Sequence, residues 1–263
     1  MNLQVFNNGK AQGRKITMMT CYDYSSARIL RQSAVDAFLV GDSLAMTLYG
    51  HDSTLPATTA MMARHTAAVR KGLGPDRAVI ADLPFLEHRG SLDRAMDAVR
   101  ALMVAGADAV KLEGIRGHEA LVGHIVESGI PVMGHLGLTP QAVHGLGGYR
   151  VQGRDKAAAE AMVEQAATLQ ERGAFALVLE CVPDTLAATI TAQLDLPVIG
   201  IGAGSDVDGQ VLVQQDLLGM NQDFSPRFVR AFAATAEDWI GAVDEYCRAV
   251  QEKRFPAAKE SFQ

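Results

Sequence analysis

Short apolar runs rich in Val, Ile, Leu and Ala recur along the chain. Four of them break off at a carboxylate: AFLVGD at Asp42, AVIADLP at Asp82, AVKLEG at Glu113 and ALVLEC at Glu180. Runs without polar alternation suit strands of a parallel sheet buried on both faces. Strands are expected near 16–21, 37–42, 78–83, 109–113, 132–136, 176–181, 197–201 and 209–213; in the last, GQVLVQQDLLG also reads as a helix or a loop. Helical patterning covers 23–34, 56–72, 91–105, 117–128, 156–172, 184–193 and 226–250. Pro56 suits a first helical turn, whereas Pro131 and Pro197 close helices and feed strands, because the residue before Pro is pushed away from αR. About eight strands alternating with helices imply parallel pairing through right-handed crossovers and an α/β fold, a (β/α)8 TIM barrel. The expected organisation is one domain over 1–263 with a C-terminal helical segment at about 226–250. Phe228, Phe232, Trp239 and Val243 share one face of that segment at the helical period, to pack on the barrel or on a partner subunit.

Composition narrows the class. A content of 48 % hydrophobic residues supports a large core, and 21 % charge is ordinary for a soluble protein. The net charge of −6 and the lack of a basic run argue against nucleic acid or an anionic membrane as partner. Cys21, Cys181 and Cys247 are too few and too scattered for a disulfide framework or a zinc site, and read as reduced thiols. The N-terminus lacks a signal-peptide pattern, and no run reaches the ~18 apolar residues of a membrane span. A cytoplasmic protein is expected.

The strand-end carboxylates carry the candidate chemistry, since active sites of such barrels lie at the C-terminal ends of the strands. Asp42, Asp82 and Glu113 offer three oxygen ligands with no nearby His/Cys cluster, which suits a hard cation such as Mg²⁺. The alternative is that each caps the helix after its own strand, although Asp82 precedes Leu83-Pro84 rather than a helix start. Lys111 shares a strand face with Glu113, either as an ion-pair partner or as a cation for a substrate oxyanion. Glu180 is placed to act as a general base or to make a loop contact near Pro183. His135 in GHLGLTPQ is a catalytic or a hydrogen-bonded structural residue. Ser43 offers a hydroxyl to an anion or serves its loop. The glycines of GIGAGSD (200–206) either present N–H groups to an anion or turn the chain. A carboxylate-held divalent ion can chelate a 2-oxo acid and stabilise its enolate, which points to carbon–carbon chemistry on a keto acid.

Seven blocks then make a resemblance: VGDSLAMTLYGHDSTLPATT (40–59), ADLPF (81–85), VKLEG (110–114), GHLGLTPQ (134–141), GGYRVQGR (147–154), LECVP (179–183) and VIGIGAG (198–204). In order and over nearly the whole chain, they resemble the ketopantoate hydroxymethyltransferase (3-methyl-2-oxobutanoate hydroxymethyltransferase) family. The resemblance implies a barrel of the phosphoenolpyruvate/pyruvate type, commonly a homodecamer, acting in pantothenate synthesis. It implies transfer of a hydroxymethyl group from 5,10-methylenetetrahydrofolate to 3-methyl-2-oxobutanoate, giving 2-dehydropantoate. On matching positions it implies Mg²⁺, one per subunit, at Asp42, Asp82 and Glu113. Keto-acid contacts fall on Asp42, Ser43, Asp82 and Lys111, and the proton acceptor on Glu180. His135 and Tyr22, in the GHLG and YDYS blocks, are site neighbours.

Departures from the family pattern are few. Cys21 and Ala45 stand where Ala and Gly are expected, and the chain ends in SFQ. The segment before Lys15 reads as short and polar, without the family's amphipathic helix. Two alternatives remain open at this point: a Mg²⁺-dependent lyase or mutase of the same superfamily, and a catalytically silent barrel subunit. The first would be expected to carry a Cys in a KKCGH-like motif, which is absent from the sequence.

Overall fold

The computed structural model describes residues 2–222 and 226–261. They fall into two compact units, Met1–Val213 and Gln214–Gln263.

The first unit contains, in chain order, α1 (Gln4–Ala11), β1 (Ile16–Thr20), α2 (Tyr24–Leu30), β2 (Ala37–Val40), α3 (Leu44–Thr47), α4 (Thr59–Leu73), β3 (Ala78–Asp82) and α5 (Leu92–Val104). It continues through β4 (Ala109–Glu113), α6 (Glu119–Glu127), β5 (Val132–Gly137), α7 (Lys156–Glu171), β6 (Ala176–Glu180), α8 (Asp184–Gln193), β7 (Val198–Ile201) and β8 (Gly209–Leu212). All eight strands pair in parallel, and β8 closes onto β1 through Ile16↔Gly209 to Met19↔Leu212, forming a barrel. The strands are as expected, including the eighth, where a β-branched Val211 turns inward. Between β7 and β8 the connection 202–208 runs without a helix.

The barrel interior follows from the two-residue period of its strands. Ile16, Ala37, Ala78, Ala109 and Ala176, each the first residue of its strand, lie in one buried apolar cluster with Met18, Leu39, Ile80, Met133, Val178 and Ile199. Continuing that parity towards the strand ends places Asp82, Lys111, Glu113, His135 and Glu180 on the same inner face. The N-terminal end of the barrel is therefore apolar and the C-terminal end charged.

One expectation about the N-terminus is corrected. Residues 4–11 form a helix, and Phe6 is fully buried in the interior cluster, edge-on to Phe175 at a centroid distance of 5.3 Å. Val5 and Phe6 are too few apolar positions to show a period, yet burying one Phe contributes about 1.5–3 kcal/mol. Lys10 ties the helix down through Asp208 at 2.8 Å. Another correction concerns α4, which starts at Thr59 and not at Pro56. The Thr58 hydroxyl accepts the N–H of Met61 and makes a better cap than a proline alone.

The second unit holds α9 (Gln214–Leu217) and α10 (Thr235–Gln251). The helix expected from 226 begins nine residues later, at Thr235. Upstream, the N–H groups of Phe232 and Thr235 donate to the carbonyls of Leu217 and Leu218, so this stretch is satisfied outside a helix. Phe228 and Phe232 thus precede α10, and Trp239, Ile240, Val243 and Tyr246 on it are exposed. Among the described residues no helix is long and apolar enough to cross a membrane.

Candidate active site

The barrel register sets the site. Asp82 and Lys111 are ladder partners on β3 and β4, and Glu113 and His135 are partners on β4 and β5. Lys111 Nζ lies 2.9 Å from Asp82 Oδ1 and 3.4 Å from His135 Nδ1. His135 spans two carboxylates: Nδ1 is 3.5 Å from Glu113 Oε1 and Nε2 is 3.2 Å from Glu180 Oε2. Asp42 joins through its backbone N–H, which donates to Asp82 Oδ2 at 3.1 Å. Ser43 Oγ meets the hydroxyl of fully buried Tyr22 at 2.8 Å. All of the sequence-predicted residues come together at this one end of the barrel.

The helix-capping alternative fails. Among the described residues, the side chains of Asp42, Asp82 and Glu113 bond to groups of other loops and strands, not to the helix after their own strand. At the end of the Gly-rich 200–206 segment, the carbonyls of Ser205 and the following Val207 accept the ammonium of Lys15.

A residue that the sequence reading passed over is Gln141. Buried at the mouth, it donates its backbone N–H to Glu113 Oε2 at 2.9 Å. Its Nε2 donates to Asp42 Oδ2 at 2.8 Å and to the Leu83 carbonyl at 2.9 Å. One side chain thus joins loops from β2, β3 and β5. The available signal was its place in GHLGLTPQ, where the residue after Pro140 must turn back over the strand ends. Gly137, at φ 93°, allows the β5–β6 closure: a Cβ there would stand 2.2 Å from the carbonyl oxygen of Glu180.

Burial and charge set the protonation states. Burial opposes the charge on Lys111, yet Asp82, Glu113 and Asp42 outweigh it and hold the ammonium protonated. Burial also opposes charge on His135, as does Lys111, but its bonds to Glu113 and Glu180 raise it to about 9. Burial raises Asp42 well above the usual carboxylate range, reinforced by the negative charges of Asp82 and Glu113. For Glu113, burial is outweighed by the hydrogen bond and charge of His135, which lower it. Tyr22 is pushed up to about 12 by burial, so it stays a phenol. Cys181 follows Glu180 at φ 47°, and burial with the Glu180 charge lifts its thiol to about 12, far from an activated nucleophile.

Beside Glu113 lies a further buried pair, His88 and His118, with ring centroids 4.8 Å apart. Both are held down to about 4: His88 by burial and then His118, His118 by burial and then Arg89. They are neutral when folded and take up protons when unfolded. Their stabilising effect is therefore complete above the unfolded value near 6.5 and is lost as pH falls from there towards 4. His135, raised to about 9, works the other way: its stabilisation is complete below 6.5 and fades as pH rises towards 9. Urea unfolding of a His88→Gln/His118→Gln variant should therefore fare better on going from pH 7 to pH 5 than the parent does. Equal pH dependence of the two midpoints would show that the pair is not held neutral.

Comparison with known proteins gives the family. The family model for ketopantoate hydroxymethyltransferase matches residues 1–258. A 3-methyl-2-oxobutanoate hydroxymethyltransferase from Bdellovibrio bacteriovorus is 55 % identical over 257 residues, covering 98 % of this chain and 97 % of the relative. One of the same name from Legionella pneumophila is 49 % identical over the full length of both. Among solved structures, a phosphonopyruvate hydrolase complexed with oxalate and Mg²⁺ superposes with a TM-score of 0.64 at 13 % identity, over 99 % of this chain and 93 % of that one. A 2,3-dimethylmalate lyase of the PEP mutase/isocitrate lyase superfamily gives 0.60 at 14 %, over 100 % and 92 %. At such identities these two speak for the barrel fold alone. With a matching family model and relatives near half identity over the whole chain, this protein belongs to the ketopantoate hydroxymethyltransferase family.

Proposed function

We propose that the chain transfers a hydroxymethyl group from 5,10-methylenetetrahydrofolate to 3-methyl-2-oxobutanoate through an enolate formed at the charged end of the barrel, giving 2-dehydropantoate. The observation that carries this reading is Glu180, 17 % exposed at the rim of an otherwise buried cluster and held 3.2 Å from His135 Nε2. A base must reach the substrate carbon, whereas the groups that stabilise charge lie deeper.

The residues fit a divalent cation. Among the described residues no three His, Cys, Asp or Glu are gathered as a ready-made metal cage. Mg²⁺ does not need one, since it takes one or two carboxylates and keeps water or substrate oxygens as its other ligands. Asp82, already 2.9 Å from Lys111, shares the site with buried Asp42 and Glu113. Asp42 is raised by burial and then by the negative charges of the other two, so carboxylates outnumber the cations there. Asp42, Asp82 and Glu113 would hold the ion, one per subunit. When bound, it supplies Lewis-acid polarisation of the keto acid's oxygens.

The chain's own groups divide the rest of the work. The Lys111 ammonium offers its charge to the developing enolate oxygen. His135, 3.2 Å away, orients Glu180 so that this carboxylate removes the C3 proton. The Ser43 hydroxyl, fixed by Tyr22, meets the substrate carboxylate. Water opens the donor's methylene bridge to a hydroxymethyl group on nitrogen. The enolate carbon then bonds to that carbon as its bond to nitrogen breaks, and the freed nitrogen takes the proton held by Glu180, leaving tetrahydrofolate. Cytoplasmic activity as a homo-oligomer belongs to the same reading, supported by the exposed apolar side chains of α10.

Proton NMR of 3-methyl-2-oxobutanoate in D₂O tests the chemistry. Enzyme with Mg²⁺ should erase the C3 proton signal, and adding methylenetetrahydrofolate should bring up a hydroxymethyl resonance. No exchange by folded enzyme in the presence of Mg²⁺ would overturn the enolate.

A further inference from the structure

Next to the acidic centre the same end of the barrel opens a second chamber. This cavity of about 390 Å³ is lined by Asp52 and Ser53 together with Val143, His144, Gly147, Gly148 and Tyr149. Three observations tie it to the reaction. Gln141, two residues before Val143, bonds both Asp42 and Glu113. The Tyr149 hydroxyl lies 3.9 Å from Met46 Sδ, four residues beyond Asp42. The Tyr149 phenol is raised by burial and then by the negative charges of Glu180, Asp42 and Glu113.

Volume and shape argue for a flat, sizeable ligand. The cavity is of the size that holds cofactors and drug-like molecules, well beyond the needs of a branched five-carbon acid. Two of its lining residues offer only backbone: Gly147 at φ 71° and Gly148 at φ 102° have no atom within 4 Å of where a Cβ would stand. A planar ring can lie against peptide planes there, with the Tyr149 ring as a wall. The Asp52 carboxylate is exposed, with its oxygens free to receive paired N–H donors.

We propose that this chamber binds the reduced pterin ring of the one-carbon donor, its amino-pyrimidinone edge on Asp52 and its face on Gly147–Gly148 and Tyr149. The proposal rests on the donor being a tetrahydrofolate. A 2-amino-4-oxo ring carries two adjacent N–H groups, which a carboxylate accepts with both oxygens.

Titration of the full-length enzyme with tetrahydrofolate, followed by intrinsic fluorescence, tests it. Asp52→Asn should raise Kd about tenfold, the equivalent of about 1.4 kcal/mol, and Ser53→Trp should fill the chamber and abolish binding. Circular dichroism and the unfolding midpoint report whether each variant is folded. Hydrogen exchange of the parent supplies a readout free of mutation: tetrahydrofolate should protect 50–53 and 143–149. Parent-like Kd in both variants, or protection elsewhere, overturns the chamber and leaves the donor standing. Absence of tetrahydrofolate binding by the parent overturns both.

Discussion

Glu180→Gln is expected to bind 3-methyl-2-oxobutanoate and Mg²⁺ as the parent does, and to lose C3 proton exchange by about 10²–10⁴-fold. The amide keeps the shape of the side chain and can still accept a hydrogen bond from His135 Nε2, 3.2 Å from the carboxylate in the parent. It cannot take a proton. Because Glu180 stands at the rim, its loss leaves no buried ion unpaired: His135 retains Glu113 at 3.5 Å and the fold is undisturbed. Exchange measured by NMR in D₂O, beside keto-acid affinity from calorimetry, separates the two effects. Parent-like exchange in this variant removes Glu180 from the role of base.

Lys111→Met should cost stability as well as activity. The ammonium is 4 % exposed and sits 2.9 Å from Asp82, with Asp42 and Glu113 close enough for their charges to act on it. Without it, three buried carboxylates face one another with only His135 as a cation. Breaking a buried pair by removing one partner costs about 3–5 kcal/mol, since the other charge is stranded. Urea unfolding at pH 7 should report a loss of that order. Adding Asp82→Asn to Lys111→Met should restore part of it, because the stranded charge is then gone while the packing is kept. A single variant as stable as the parent would mean that Lys111 carries no share of the cluster's charge balance. In that case its part in holding an enolate oxygen would also fall.

Much of the fold was legible from local pattern. Strands buried on both faces, such as ALVLE in β6 and AVIAD in β3, have no choice of face to display and read as unbroken apolar runs. Their spacing by helical segments left the parallel barrel as the economical solution. The end of α4 at Gly74 and its cap at Thr58 obey local rules, although Pro56 drew the expected start three residues too early. α1 escaped because what holds it is tertiary: Phe6 in the barrel's interior cluster, Leu3 and Val5 packed against it, and the Lys10–Asp208 pair. α10 was overextended because an apolar period from Phe228 to Val243 continues across a stretch whose backbone is committed to the carbonyls of Leu217 and Leu218.

By itself the sequence determined which groups could do chemistry here. Carboxylates at the ends of buried strands are costly unless something uses their charge, so Asp42, Asp82, Glu113 and Glu180 declared themselves, and the strand parity of Lys111 and Glu113 put both on one face. Only the tertiary structure decided who pairs with whom. The register sets Asp82 beside Lys111 and Glu113 beside His135, and it lets His135 reach Glu180. Gln141 and the chamber behind Tyr149 are likewise tertiary. Hydrogen bonds between loops 99 and 28 residues apart in the chain leave no period or composition to read, because they arise only when the barrel closes and brings the strand ends together.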